Sequence, residues 1–188
     1  MMEEAIREAL KVLREGGIIL YPTDTVWGIG CDATHAGAVG KIYALKRSVD
    51  KKGMIVLVDG MDRAARYTGR APDVAWQLFE LANKPLTLIL PGACGIAENL
   101  IPEEGTLGIR IPRHEFCERL LKKLGRPLVS TSANISGEPA PLNHDDIAKE
   151  IFAGVDYAVD PAWEGKPTHR PSSILRLDES GRIEVVRE

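Results

Sequence analysis

The chain has 188 residues, of which 44% are hydrophobic and 27% charged, and its formal net charge is −3. This length and composition are typical of a globular domain with a substantial core, and we expect a single domain over residues 1–188. The slightly acidic balance argues against a protein that coats nucleic acid with general positive charge, although a local basic groove stays open.

The cysteines and the N-terminus indicate the compartment. The three cysteines are far apart in the chain and form no CxxC pair; they are Cys31, Cys94 and Cys117. This spacing disfavours structural zinc and a disulfide framework, and it predicts a reducing, cytoplasmic location and no metal site. The acidic start Met1–Glu8 does not resemble a secretory signal, and no apolar run approaches the roughly 18 residues that span a bilayer.

Apolar spacing predicts helices and strands that intermix along the chain. Glu3–Glu15 reads as an amphipathic helix, and the continuous apolar run Ile18–Tyr21 predicts a buried, central strand that Pro22 ends. Further helices are expected at Thr34–Leu45, Met61–Tyr67, Pro72–Leu81, Glu115–Leu124 and Asn143–Phe152, with Thr34 and Asn143 as caps. Further strands are expected at Met54–Val58, Pro85–Leu90, Thr106–Ile111, Leu128–Ser130, Tyr157–Val159, Ser173–Leu177 and Ile183–Val186. Because some adjacent strands have no helix between them, we predict an α/β fold with an open, twisted, mixed sheet and flanking helices.

The polar loop after the first strand is a candidate ligand site. Thr23, Asp24 and Thr25 follow Pro22, and α/β proteins commonly bind ligands where a strand ends in such a loop. Gly28–Ala33 matches the relaxed dinucleotide pattern GxGxxA. That pattern needs its glycines at the immediate strand-to-helix turn, whereas six residues separate Tyr21 from Gly28, so a dinucleotide site is disfavoured.

Two further polar segments each have two interpretations. Lys46–Gly53 carries four basic side chains in its first seven positions and is either a solvated charge run or a phosphate-binding loop. Thr131–Gly137 is either a turn that bonds its own backbone or a polar clamp for a small zwitterion or a ribose. The histidines lack metal-ligand spacing and are predicted to lie on the surface; they are His35, His114, His144 and His169.

Together these segments resemble the YrdC-like family, the threonylcarbamoyl-AMP synthases. Tyr21–Gly30 is similar to the family's Tyr-Pro-Thr-(Asp/Glu)-Thr-aromatic-Gly-x-Gly segment, and Lys46 with its loop is similar to the Lys-x-Arg motif. Further similar segments follow in the family's order, at Pro85–Thr87, Thr106–Pro112, Ser132–Asn134 and Pro171–Ser173. The resemblance implies a single YrdC-like domain of the short form, with a YrdC/RibB-like fold (similar to dihydroxybutanone-phosphate synthase) and a concave basic face.

The resemblance also implies a reaction. ATP, L-threonine and bicarbonate would give threonylcarbamoyl-AMP and pyrophosphate, with Mg²⁺ accompanying the ATP. The product would supply other proteins that modify adenosine in tRNA, and a contact with tRNA or double-stranded RNA would accompany that role. Two alternatives stay open: an RNA-binding module of the same fold without this activity, and a nucleotide-using relative with a different small substrate.

Site residues are implied by the same resemblance. The threonine side would comprise Thr25, Arg110, Ser132 and Ser172. The nucleotide side would comprise Lys46, Ser48, Lys52, Thr106, Asn134 and Arg187, with Lys46 and Arg47 as catalytic residues. Gly28 and Gly30 would let the loop backbone bend around a small substrate.

The sequence departs from the family pattern at a few positions. Without a gap, the arginine of Lys-x-Arg falls on Ser48, so either Arg47 replaces it or the lysines supply the phosphate charge. Leu57 stands where some relatives have histidine, and Leu142 replaces an expected polar residue. Asp24 would be either an outer-shell partner of Mg²⁺ or an ordinary turn residue.

Overall fold

The helices lie close to the amphipathic segments of the sequence. The computed structural model describes residues 1–48 and 54–188, so most of the predicted Lys46–Gly53 loop, including Lys52, lies outside the described residues. The α-helices are α1 (Met2–Arg14), α2 (Ala36–Lys46), α3 (Met61–Arg66), α4 (Val74–Leu81), α5 (Glu115–Leu124) and α6 (Lys149–Gly154). Short 3₁₀ helices occur at Glu98–Leu100, His144–Asp146 and Pro161–Trp163.

The sheet is mixed and open, as predicted. Its strands are β1 (Ile19–Tyr21), β2 (Gly28–Gly30), β3 (Ile55–Leu57), β4 (Leu86–Pro91), β5 (Thr106–Arg110), β6 (Leu128–Ser132), β7 (Tyr157–Ala158), β8 (Ser173–Leu177) and β9 (Ile183–Arg187). Within the described part of the chain these strands are ordered β7-β1-β2-β6-β3-β5-β4-β8-β9. β7 and β9 therefore form the two edges. The β1–β7, β3–β5 and β4–β8 pairs are parallel, whereas the remaining neighbours are antiparallel.

Two apolar clusters cover the two faces of the sheet. Ile19 and Tyr21 of β1 pack with α1 and α5 on one face, and Leu20, between them, packs with α2 and α6 on the other. This division follows from the alternation of side chains along a strand. Full burial of each such side chain stabilises the fold by roughly 1.5–3 kcal/mol. β1 is second from the edge and not central, because β7 pairs beside it, yet its three residues are buried on both faces.

The polar loop expected after β1 contains a strand that was not predicted. Gly28–Gly30 forms β2 and pairs with β1 on one side and β6 on the other. A Cβ on Gly30 would lie 2.7 Å from Cε1 of Tyr21 and closer still to the Val129 carbonyl. The glycine is therefore required by the close approach of neighbouring strands. That Gly28 and Gly30 also let the backbone bend around a small substrate stays a prediction.

Two helix starts also differ from the prediction. α2 begins after His35, whose Nδ1 accepts from the Ala38 N–H, because the Thr34 hydroxyl instead donates to Asp32 at 2.7 Å. The helix expected over Asn143–Phe152 is divided into the 3₁₀ helix at His144–Asp146 and α6. Asn143 forms a capping box with Asp146 and so caps the 3₁₀ helix alone.

No helix among the described residues combines the length and the apolar character that crossing a membrane requires.

Candidate active site

A pocket of about 380 Å³ opens where the β1–β2 loop meets β5, β6 and the ends of β8 and β9. It brings together six of the residues assigned by resemblance. They are Thr25, Arg110, Ser132, Asn134, Ser172 and Arg187. The wall also contains Thr23, from the polar loop after β1, and two polar residues that the sequence did not single out, Ser130 and Glu138.

Arg110, at the end of β5, is the buried cation of this pocket, with 3% of its surface exposed. Its Nη1 donates to Asp24 Oδ1 at 2.8 Å and to Thr25 Oγ1 at 3.1 Å. Its Nε is buried and has no hydrogen-bond partner among the described residues. A buried guanidinium is tolerated when it is paired, as Arg110 is with Asp24.

Asp24 holds Arg110 in place, a role that sequence reasoning missed. One carboxylate oxygen accepts from Arg110, and the other accepts from the backbone N–H of Arg113 at 3.0 Å. The Asp24 carbonyl also accepts from the Thr168 N–H at 2.9 Å, so the segment that precedes β8 crosses this loop. Because both carboxylate oxygens are bonded within the protein, Asp24 fits a positioning role better than an outer-shell role toward Mg²⁺.

The hydroxyls of Thr23 and Thr25 face each other across 2.9 Å. The Thr23 hydroxyl donates to the Val26 carbonyl at 2.8 Å and accepts from the Thr25 N–H at 3.1 Å. Both threonines are buried, with 2% and 4% of their surfaces exposed, and both line the pocket. The loop therefore presents a fixed pair of hydroxyls beside Arg110.

Ser172 and Arg187 form the opposite wall. The Ser172 hydroxyl bonds with the Thr87 hydroxyl at 2.7 Å, and its carbonyl accepts from Nε and Nη2 of Arg187 at 3.0 and 2.8 Å. Partial burial and the nearby charge of Arg110 lower the pKa of Arg187. Two cations thus meet in one pocket, and an anion bound between them would relieve their repulsion.

Lys46 lies behind the loop that follows β6. Its Nζ donates to the carbonyls of Ser132 and Asn134 at 2.7 and 2.6 Å, and burial lowers its pKa to about 8. Within the described part of the chain, these two bonds use two of the three ammonium N–H groups. The Asn134 side chain donates to the carbonyls of Ile135 and Glu138, while its Oδ1 is buried without a partner. The two interpretations of Thr131–Gly137 are therefore compatible, since this turn bonds its own backbone and also forms a wall of the pocket.

Three further assigned residues, Arg47, Ser48 and Thr106, do not line this pocket. Arg47 is exposed and ends α2 in the left-handed conformation, with φ 52°. Ser48 is half-buried next to it. Thr106 lines a separate cavity of about 40 Å³ that shares Ile55 and Ile174 with the main pocket. The roles assigned to these residues stay predictions.

The histidines are not all on the surface. His114 is buried, with 8% of its surface exposed, and its Nε2 donates to the Glu164 carbonyl at 2.9 Å. The His144 ring is half-buried and packs edge-on against Trp27, at a centroid distance of 5.0 Å. The prediction of a surface position is wrong for these two residues. Among the described residues, no group of three or more His, Cys, Asp or Glu side chains is arranged to hold a metal ion.

Comparisons with known proteins find a matching family model, similar sequences and similar folds. A family model named Sua5_yciO_yrdC, described as "Telomere recombination", matches residues 11–188. A protein named threonylcarbamoyl-AMP synthase from Pseudoalteromonas translucida is 31% identical over 175 residues, which cover 92% of each chain.

Two solved structures of Sua5 from P. abyssi have the same fold. The complex with L-threonine superposes with a TM-score of 0.83 at 28% identity over 92% of this chain. A double variant superposes with a TM-score of 0.86 at 26% identity over 97% of this chain. The chain spans 50% and 55% of these two Sua5 chains, respectively, or about half of their length.

Proposed function

The chain belongs to the Sua5/YciO/YrdC family, and on that premise we propose that it is an L-threonylcarbamoyladenylate synthase. The reaction joins ATP, L-threonine and bicarbonate to give threonylcarbamoyl-AMP and pyrophosphate. The observation that carries the proposal is one pocket in which Thr25 and Arg110 face a wall formed by Ser172 and Arg187. A hydroxyl-rich wall beside two cations matches a small hydroxylated amino acid and a polyanionic second substrate.

Threonine binds on the Arg110 side of the pocket in this proposal. Arg110 is already oriented by Asp24 and lines the pocket, so its guanidinium can receive the threonine carboxylate. Thr25, 3.1 Å from the same guanidinium, is then beside the α-carbon substituents of the substrate. Selection of threonine over serine depends on one methyl group, which is worth only about 1–3 kcal/mol, whereas a buried hydroxyl partner rejects valine more strongly.

The nucleotide binds toward Asn134, Arg187 and the loop that Lys46 supports. Lys46 fixes that loop through two backbone carbonyls, and in the proposal its third N–H donates to a phosphate oxygen. Ser48, Lys52, Thr106 and Arg47 extend this side in the proposal. Mg²⁺ fits as a companion of ATP, because a cation bound mainly by phosphates and water needs few protein carboxylates.

The reaction needs no enzyme nucleophile. The threonine amine and bicarbonate give a carbamate and water, and a carbamate oxygen then attacks the α-phosphorus of ATP. The new P–O bond replaces the bond to pyrophosphate, which leaves with its electron pair. Catalysis then consists of placing the two substrates in line and stabilising negative charge, which the hydroxyls and cations of this pocket can do.

The biological setting belongs to the same proposal. The product is a reactive mixed anhydride, and we propose that tRNA-modification proteins in the cytoplasm consume it. A concave basic face that contacts tRNA or double-stranded RNA is proposed on the side of the Lys46–Gly53 loop, where the basic residues cluster in the sequence.

Pyrophosphate release from ATP and Mg²⁺ tests the proposal, measured with and without L-threonine and bicarbonate. We expect release only when both are present. Release without a threonine requirement would indicate another small substrate, and no release together with salt-sensitive RNA binding would favour a binding module. The variant Thr25→Ala should lower threonine-dependent release, and if it does not, the assignment of Thr25 is wrong.

A further inference from the structure

We infer that Thr23 fixes the Thr25 hydroxyl as a hydrogen-bond acceptor toward the pocket, and that the β-hydroxyl of the substrate threonine donates to it. The inference deepens the proposed function and rests on it for the identity of the substrate. Thr23 would be a positioning residue, because it acts on the substrate through Thr25.

The direction of each hydrogen bond follows from the partners. The Val26 carbonyl can only accept, so the Thr23 hydroxyl proton is used in the 2.8 Å bond to it. The Thr23 oxygen therefore accepts across the 2.9 Å contact with Thr25, and the Thr25 hydroxyl is the donor. The Thr23 oxygen also accepts from the Thr25 N–H, which fills its second lone pair.

Thr25 then has no proton left for a ligand. Its hydroxyl donates to Thr23 and accepts from Arg110 Nη1 at 3.1 Å, which leaves one lone pair. Because Thr25 is buried and lines the pocket, that lone pair can be satisfied only by a group that donates. A carboxylate or an ether oxygen at that position would face the lone pair of the Thr25 oxygen and could form no hydrogen bond with it.

Because one residue only donates and the other only accepts, each binds a different group of the substrate. Arg110, a pure donor, takes the carboxylate, and Thr25, an acceptor toward the ligand, takes the hydroxyl proton. The amine is then left for carbamate formation. A site in which a buried acceptor requires a donor rejects analogues without one more strongly than shape alone would.

The test compares L-threonine with O-methyl-L-threonine, whose ether oxygen accepts but cannot donate. Binding of each is measured by calorimetry on the wild type, Thr23→Val and Thr23→Ser, and threonine-dependent pyrophosphate release is measured in parallel. Valine keeps the shape of Thr23 but removes the acceptor, so the Thr25 hydroxyl can turn its proton into the pocket. Thr23→Ser keeps the hydroxyl and is the matched control.

We expect the preference for threonine over its O-methyl ether to fall about tenfold or more in Thr23→Val, as for one hydrogen bond. Thr23→Ser should retain the preference. A purely structural role for Thr23 would weaken both ligands equally, and thermal unfolding checks that each variant folds. The inference is overturned if the preference is unchanged in Thr23→Val, if Thr23→Ser changes it equally, or if the wild type binds neither ligand. If threonine binds with this preference but no pyrophosphate is released, the proposed function fails and the inference stands.

Discussion

The Arg110–Asp24 ion pair is best tested by removing each partner and then both. The pair is 2.8 Å long, and its side chains are 3% and 11% exposed. Arg110→Gln would leave the Asp24 carboxylate buried with one remaining donor, the backbone N–H of Arg113. Breaking a buried pair in this way costs about 3–5 kcal/mol, which for a domain of this size lowers Tm by on the order of 10 °C.

The double variant Asp24→Asn/Arg110→Gln separates folding from binding. It contains no uncompensated charge, so much of the lost free energy of unfolding should return. Affinity for threonine should not return, because the cation for the substrate carboxylate is still missing. Urea denaturation measures the first quantity, and the KM for threonine in pyrophosphate release measures the second. A double variant no more stable than Arg110→Gln would refute the coupling, and a restored KM would refute the role of Arg110.

Three further predictions concern other parts of the chain. Burial lowers the pKa of Lys46 to about 8, so between about pH 8 and 10 the unfolded chain binds more protons than the folded protein. The free energy of unfolding of the wild type, relative to that of Lys46→Met, should therefore rise across this range by at most about 1.4 kcal/mol per pH unit. Urea denaturation at several pH values measures this difference. An unchanged difference across that range would contradict the buried position. Gly30→Ala should lower the free energy of unfolding by about 1–3 kcal/mol through overpacking, whereas Gly40→Ala, whose Cβ meets nothing within 4 Å, should raise it by about 0.5–1 kcal/mol. In the native protein a thiol reagent should label Cys94 and spare the two buried cysteines, and labelling of all three would contradict the packing.

The sequence was informative where one segment determines its own structure. The apolar periodicity of Glu115–Leu124 predicted α5 to the residue, because that helix buries one face through local spacing alone. β2 was missed because Gly28-Ile29-Gly30 has no strand propensity of its own. It is a strand because β1 and β6, about a hundred residues apart in sequence, both pair with it.

In the site, too, the sequence predicts what lies within one segment but not the contacts between distant segments. The motifs named Thr25 and Arg110 but not the reason that they act together. Their contact joins residues 85 positions apart, and the carboxylate that orients Arg110 is 86 positions away from it. Asp24 gave a signal, as an acid between two threonines, yet the sequence alone does not reveal whether such an acid turns a loop, binds a cation or pairs with an arginine.

The two arginines of the pocket allow the proposed anionic substrates to bind without any strongly basic overall composition. Asp24 is the acid nearest Arg110, and both of its carboxylate oxygens are bonded within the protein. Arg187 is held by a carbonyl, which orients it but does not neutralise it, and the charge of Arg110 further lowers its pKa. Among the described residues, Arg187 therefore has no carboxylate partner, although Glu138 also lines the pocket. Two substrates that each carry negative charge, a carboxylate and a polyphosphate, can be drawn together there, and their mutual repulsion is the barrier that a synthase of this kind must offset.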